Sequence, residues 1–340
     1  MNNPLLSFCI PTYNRGLLLK ETIESIINQT SSSNIALIEI CISDNASTDE
    51  TKAIINEIKN NTPIKIVYHI NKENLGADRN YLKVIEIASG DFCWFMGSDD
   101  TVRPGALNRV IEELKKNYDL LILNRNECDF KLNFIEKRYW LTPDVSDLTI
   151  DTSSKEELYF YLEKCTSLGG LFSYLSSIVF LKKRWQNVSF DESFIGTAYS
   201  HVYILLTILM EGAHLKYLSD GLVNSRGEND SFGTKSLAKR VLLDINAYLT
   251  LNNSIVTDDS AKQKVIRVLK KELDYVYFDS LFSCIRVCSR STKEDWDLLL
   301  NKLNLIHYYN KNIPIASNLF NNIIAKKLVY LLMKVKKKRI

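Results

Sequence analysis

The sequence predicts an α/β protein: a mostly parallel, Rossmann-like sheet with helices on both faces, followed by a helical C-terminal extension. Three observations predict it. Strand-like and helix-like patterns alternate over the first 125 residues with short connections. Each apolar strand ends in a polar segment, where sheets of this kind bind their ligands. From residue 235 onward the apolar spacing is helical to the end, without repeats or low-complexity tracts.

Residues 6–10 read as a buried strand, and Leu18, Leu19, Ile23, Ile26 and Ile27 then recur at helical spacing. Residues 35–42 form the next strand. Ser47 followed by Glu50 makes a capping box that opens a helix with Ile54, Ile55 and Ile58 on its apolar face. A third strand covers 64–70, and a helix over 77–88 turns Tyr81, Leu82, Ile85 and Ala88 inward. A fourth strand covers 92–96. Pro104 stands where a first helical residue should, starting a helix through Leu114, and 120–123 closes the series. Residues 143–157 are polar and turn-rich, with Ser153/Glu156 and Ser154/Glu157 both able to cap a helix, so a subdomain junction is expected there. The expected divisions are 1–125, 126–235 and 236–340.

The 340 residues are 46% hydrophobic and 24% charged, an ordinary globular composition. Net charge is +3, but Lys326, Lys327, Lys334, Lys336, Lys337, Lys338 and Arg339 crowd the end, leaving 36 Lys and Arg against 40 Asp and Glu elsewhere. That body is not expected to bind nucleic acid, which needs clustered cations. Seven cysteines without CxxC spacing predict reduced thiols, and Cys284 and Cys288 share a helix face without further metal ligands nearby. Pro11 cuts the first apolar run short, so no signal peptide is expected. The longest apolar run, 203–210, is too short to span a membrane. A cytoplasmic location follows as an expectation.

The strand ends carry the chemistry. Residues 92–100 deliver Ser98, Asp99 and Asp100 to the end of a hydrophobic strand. Mg²⁺ or Mn²⁺ is held by one or two carboxylates plus substrate phosphates, so this pair suits a metal–diphosphate clamp; the other reading is a turn leading into a helix. Asp44 can accept a bond from a base N–H or a ribose hydroxyl, or can simply turn the chain. Ser47 and Asp49 fit helix capping. The loop containing Asn74 and Gly76 leads to Arg79, which suits a phosphate or nucleobase, or an exposed first turn. In the segment Pro11, Thr12, Tyr13, Asn14 and Arg15, the Tyr13 ring offers a stacking face for a base.

Together these four strand ends resemble the family-2 glycosyltransferases. The matching positions are Pro11, Tyr13, Asn14 and Arg15; Asp44, Asn45, Ser47 and Asp49; Asn74 and Gly76; and Asp99, Asp100, Pro104 and Gly105. The resemblance covers about the first 110 residues. It implies a GT-A fold, a nucleoside-diphosphate sugar donor held by Pro11, Tyr13, Arg15, Asp44, Asn74, Arg79, Ser98 and Asp99, and a divalent metal on Asp99 and Asp100. On that reading 1–125 binds nucleotide sugar and metal, and 126–235 binds the acceptor. Gly97 replaces an aspartate common at the family's metal motif. The Gly-Ser-Asp-Asp form looks most like the O-antigen enzymes that transfer dideoxyhexoses such as abequose.

The resemblance extends to the second half with departures. The family's base is a carboxylate in a stretch similar to Phe190, Asp191, Glu192, Phe194 and Gly196, but its usual acidic pair is missing and His201 stands near the second member's place. His201 and Asp191 are therefore both candidates to take the acceptor hydroxyl's proton. Arg226, in a loop similar to the family's late Arg loop, is implied to stabilise the leaving diphosphate. The tail sets Ile323, Ile324, Leu328, Leu331, Leu332 and Val335 against the seven cations, a pattern suited to an anionic membrane surface or to a helix packed with its basic end in solvent. A glycan or lipid-linked acceptor would make such contact useful. Two rivals stand beside this reading. A nucleotidyltransferase should show a glycine-rich loop after the first strand, and 11–15 has none. A degenerate binding module would explain the missing acidic residues.

Overall fold

The computed structural model describes residues 3–227, 229 and 236–321. The chain divides between Asn229 and Asp230 into two compact units. The first opens with β1 (Leu6–Thr12), α1 (Gly16–Ile27), β2 (Ile38–Asp44), α2 (Thr51–Asn61), β3 (Lys65–Ile70), α3 (Ala77–Ile87) and β4 (Phe92–Phe95). Every residue of β1 and β2 is buried, as expected of strands covered on both faces. There follow β5 (Thr101–Val102), α4 (Ala106–Leu114), β6 (Leu120–Cys128), β7 (Phe134–Arg138), β8 (Leu148–Asp151), α5 (Lys155–Lys164), β9 (Ile178–Leu181), α6 (Lys182–Asn187), α7 (Ser200–Met210) and β10 (His214–Arg226).

The strands join one sheet in the order β3-β2-β1-β4-β9-β6-β10-β5, with β7 beside β6 and β8 beside β10. The block β3-β2-β1-β4 is parallel. Antiparallel β9 then separates β4 from β6, so β4 and β6 again run the same way, and β10 runs parallel to β6. The carboxyl ends of β1, β2, β3, β4, β6 and β10 therefore face one edge. Beneath them lies a core of Phe8, Ile10, Ile40, Ile42, Trp94 and Leu121, closed by Leu19, Ile23, Ile55 and Val110 from the helices.

Two local expectations need correction. Helix α2 starts at Thr51, and Asp49 rather than Ser47 accepts the Thr51 N–H, at 3.1 Å. The Ser47 hydroxyl accepts instead from the Asn14 N–H at 2.8 Å, because Asn14 bends back in the left-handed region and lays the loop after β1 on the loop after β2. Residues 143–157 contain β8, which pairs with β10, so the sheet runs through that segment; residue 125 likewise lies inside β6. Ser154 does cap α5, accepting from the Glu157 N–H.

The second unit is helical through its described residues: α8 (Leu237–Ile255), α9 (Asp259–Glu272), a π turn over Leu273–Tyr277, α10 (Leu281–Ser289), α11 (Lys293–Leu305) and α12 (Asn312–Asn321). Asp258, Ser280 and Thr292 cap α9, α10 and α11. The basic tail lies outside the described residues. No helix among those described is long and apolar enough to cross a membrane.

Candidate active site

Three loops beyond β1, β2 and β3 are tied together by amides. The Asn45 side chain donates to Asn74 Oδ1 (2.8 Å) and accepts from Asn71 Nδ2 (3.0 Å) and the Leu75 N–H (2.9 Å). Asn80, one turn into α3, accepts from Ser43 Oγ at 2.7 Å and donates to the Ser43 carbonyl at 3.0 Å. Asn71 and Asn80 were not singled out from sequence. Their one legible signal is density, four asparagines within 71–80 and at 45. Gly76, with φ +82° and its N–H bonded to Asn74 Oδ1 at 2.9 Å, turns the chain into α3.

On this rim Asp44 is buried, its Oδ2 accepting from the Tyr68 hydroxyl at 2.6 Å and its Oδ1 from the Ser47 N–H at 2.8 Å. Any nucleoside would therefore meet Asp44 together with Tyr68. Pro11 is buried at the end of β1, and the exposed Tyr13 ring follows it. Arg79, expected at a phosphate or base, instead pairs with Glu192 at 2.9 Å, both side chains being about half exposed or more.

The β4–β5 turn brings the two aspartates to the same place and uses them differently. Asp99 Oδ2 is 3.0 Å from Arg15 Nη1 and accepts from Asn229 Nδ2 at 2.8 Å; its Oδ1 accepts no hydrogen bond. Burial first, then the neighbouring Asp100, lift the Asp99 carboxyl to about 6 against the pull of Arg15. Asp100 is turned inward. Its Oδ2 accepts from the hydroxyls of Tyr174 and Ser176, each at 2.5 Å, and its Oδ1 from the Arg226 N–H at 3.1 Å. The expectation of two metal ligands is thus corrected to one, because Asp100 is committed to protein donors. Ser98, between them and Gly97, is buried.

Asp99 with a free Oδ1 fits Mg²⁺ or Mn²⁺, which take few protein ligands when phosphates supply the rest. No cluster of three or more His, Cys, Asp or Glu that could hold a metal occurs among the described residues, consistent with a cation that arrives with its ligand. Gly97 is required here. A Cβ on it would lie 2.9 Å from Asp100 Oδ2 and 3.3 Å from Ser176 Oγ, so Ser176 occupies the room that a larger residue would need.

Two expected catalytic residues are corrected. Arg226, at the end of β10, donates from Nε to the Asp99 carbonyl (2.9 Å), from Nη1 to the Phe130 carbonyl (2.6 Å) and from Nη2 to Glu21 (2.6 Å). Its guanidinium braces the aspartate turn from inside and does not face a leaving group. His201, in the first turn of α7, is enclosed by Tyr81, Phe95 and Tyr199. Its Nε2 lies 3.1 Å from the Phe172 carbonyl, its Nδ1 has no partner, and burial pushes its pKa down to about 4. A ring that solvent does not reach cannot take a proton from an incoming hydroxyl.

Asp191 remains, exposed, with Oδ1 accepting from the Ser193 N–H at 2.9 Å. Its segment is anchored at the site by a residue the sequence reading passed over. Buried Asp78, in the first turn of α3, accepts from the N–H groups of Gly196 and Ala198, each at 2.8 Å, and of Ser200 at 2.9 Å. A carboxylate at the start of α7 also matches that helix's dipole.

A parallel sheet whose carboxyl edge carries an amide-laced rim and one carboxylate open to a cation defines a glycosyltransferase of the GT-A fold. The chain belongs to Glycosyl transferase family 2, whose sequence profile matches residues 7–183. It is 39% identical over 337 residues to abequosyltransferase RfbV of Salmonella typhimurium, covering 94% of this chain and 99% of that protein. It is 30% identical over 194 residues, 57% of each chain, to the GalNAc(5)-diNAcBac-PP-undecaprenol beta-1,3-glucosyltransferase of Campylobacter jejuni. Among solved structures, S. aureus TarS 1-349 in complex with UDP-GlcNAc superposes with a TM-score of 0.60 at 14% identity, over 93% of this chain and 90% of that one. The mannosyltransferase PcManGT from Pyrobaculum calidifontis, in complex with GDP-Man and Mn²⁺, does so at 0.55 and 13% identity, over 97% and 88%. These two likenesses speak to fold alone.

Proposed function

We propose that this glycosyltransferase moves a hexose or deoxyhexose, most specifically a dideoxyhexose, from a nucleoside diphosphate to a hydroxyl of a lipid-linked oligosaccharide in bacterial surface polysaccharide synthesis. The carrying observation is Asp99, the carboxylate at the end of β4 with one oxygen open and the other held by Arg15 and Asn229. Near-full-length similarity to an abequosyltransferase supports the sugar class, and the partial match to an enzyme named for an undecaprenol-linked substrate supports the acceptor class.

In this reading Tyr13, Asp44 and Tyr68 receive the nucleoside, and Asp99 holds Mg²⁺ or Mn²⁺ bound to the diphosphate. When bound, the cation neutralises charge on the departing diphosphate. Arg15 lies beside Asp99 and supplies a further positive charge to the phosphates, while Asp100 and Arg226 keep the turn in place. The acceptor oxygen bonds to the anomeric carbon as the bond from that carbon to the diphosphate oxygen breaks, with inversion. The hydroxyl proton goes to Asp191, and the nucleoside diphosphate leaves. The enzyme would work in the cytoplasm, at the inner face of the membrane that carries its acceptor.

Calorimetric titration of CDP, UDP, GDP and dTDP with Mn²⁺ and with EDTA tests the donor site. Metal-dependent binding of one nucleotide, lost in Asp99→Ala and kept in Asp191→Asn, is the expected result. No binding under any condition would refute the assignment. A protein that binds nucleotide but neither hydrolyses nor transfers any donor sugar would instead be a binding module.

A further inference from the structure

The helical second unit is strongly basic even before its tail, and we propose that the face formed by α9 and the end of α11 docks on an anionic lipid bilayer. Residues 230–340 hold 20 Lys and Arg against 10 Asp and Glu, and 13 of the 20 precede Lys326; residues 1–229 hold 23 against 30. The excess positive charge thus belongs to one unit.

Within that unit α9 is two-sided. Ala261, Val265, Val268 and Leu269 are its buried face. At about 100° per residue, Lys264, Arg267, Lys270 and Lys271 fall on the other side. Two bonds bring the end of α11 to this helix: Lys270 Nζ donates to the His307 carbonyl at 3.2 Å, and the Tyr308 hydroxyl donates to Asp274 at 2.6 Å. Large apolar side chains stand uncovered where these segments meet, with Tyr275 48%, Leu305 70% and Tyr309 82% exposed.

Cations alone would suit any polyanion. Exposed tyrosines and a leucine beside them suit the headgroup region of a bilayer, where amphipathic rings and aliphatic tips enter while lysines stay at the phosphates. The proposal rests on the lipid-linked acceptor for its purpose, since docking would hold the active site at the surface where that acceptor lies. It differs from a tail contact because every residue named belongs to α9, the π turn or the end of α11.

The test is co-sedimentation of the full chain with phosphatidylcholine vesicles containing phosphatidylglycerol, and with phosphatidylcholine vesicles alone. Three proteins are compared with the wild type: Lys264→Gln/Arg267→Gln/Lys271→Gln, Leu305→Ser/Tyr309→Ser, and a chain ending at Asn321. Each Lys or Arg at an anionic surface is worth about 1 kcal/mol, roughly five-fold, so the triple variant should partition on the order of a hundred-fold more weakly. The serine variant should also bind more weakly, and the shortened chain should keep measurable, salt-sensitive binding to anionic vesicles. Wild-type-like binding by the triple variant, or complete loss of binding on removing the tail alone, would overturn the proposal. So would equal binding to duplex DNA that ignores Leu305 and Tyr309. Nucleotide titration of the same proteins separates the two readings. Vesicle binding without nucleotide binding undoes the donor assignment alone, and nucleotide binding without vesicle binding undoes the docking face alone.

Discussion

At Asp99 a half-shielded carboxylate holds a proton more tightly than an ordinary aspartate, because burial and Asp100 outweigh the opposing Arg15. With a folded pKa of about 6 against about 3.9 unfolded, its contribution to stability is complete below about pH 4 and is lost as pH rises through 6. A cation competes with that same proton. Mn²⁺-dependent nucleotide binding should therefore weaken progressively as pH falls from 7 to 5, a trend calorimetry at fixed ionic strength would detect. Its absence in Asp99→Asn would locate the titration. Asp100→Asn should act differently, lowering the melting temperature by disturbing a buried acceptor of three bonds, a cost of about 1–3 kcal/mol. His201→Phe should leave turnover per folded molecule within a few-fold of wild type, because the ring is enclosed by aromatic neighbours and touches no solvent. A loss of several orders of magnitude, with the protein still folded, would restore His201 as the base.

The turn from β4 to β5 and the loop before α7 show how elements hold the site. Gly97→Ala places a methyl 2.9 Å from Asp100 Oδ2, so the Ser176 and Tyr174 bonds to that carboxylate must lengthen or break. Reduced thermal stability and weaker nucleotide binding are expected together, the second measured well below the melting point. Asp78 gathers three N–H groups from 196–200, and bonds to a charged acceptor are the stronger kind. Asp78→Ala should cost about 3 kcal/mol or more and open the 190–200 segment to limited proteolysis. Unchanged cleavage there would show that packing of α7, not Asp78, sets the loop. The strands and helices leading to these turns were legible in the sequence, since β1 to β4 and α1 to α4 follow local apolar spacing. Strand β8 was not, because four residues read as polar loop became a strand only through pairing with β10.

Across the whole molecule the seven cysteines are buried in both units. Burial pushes the Cys9, Cys41 and Cys284 thiols up, so little thiolate forms at neutral pH. Alkylation with a maleimide should therefore be slow for the native protein and reach all seven only after denaturation; rapid native labelling would show that one unit opens locally. The two units also differ in charge as they do in structure, and α9 carries its cations on one side only. The excess itself was readable from composition. Its gathering on a face with Tyr275, Leu305 and Tyr309 was not, since α9 and residues 307–309 meet through bonds spanning more than 30 positions.

The sequence by itself determined the alternation of strand and helix, the polar strand ends and the family, because these depend on spacing within a few residues and on motifs read in order. It brought Pro11, Tyr13, Arg15, Asp44, Asn74, Ser98, Asp99 and Asp100 to one edge through the parallel topology those patterns imply. Only the tertiary structure decided how the adjacent aspartates divide their work, how Arg226 turns inward to Glu21, and how His201 disappears among aromatic rings. Each of those outcomes depends on a partner 70 to 205 positions away or on burial by several elements at once. A side chain's chemistry is set by its residue type, but whether it faces substrate or protein is set by what the fold packs against it.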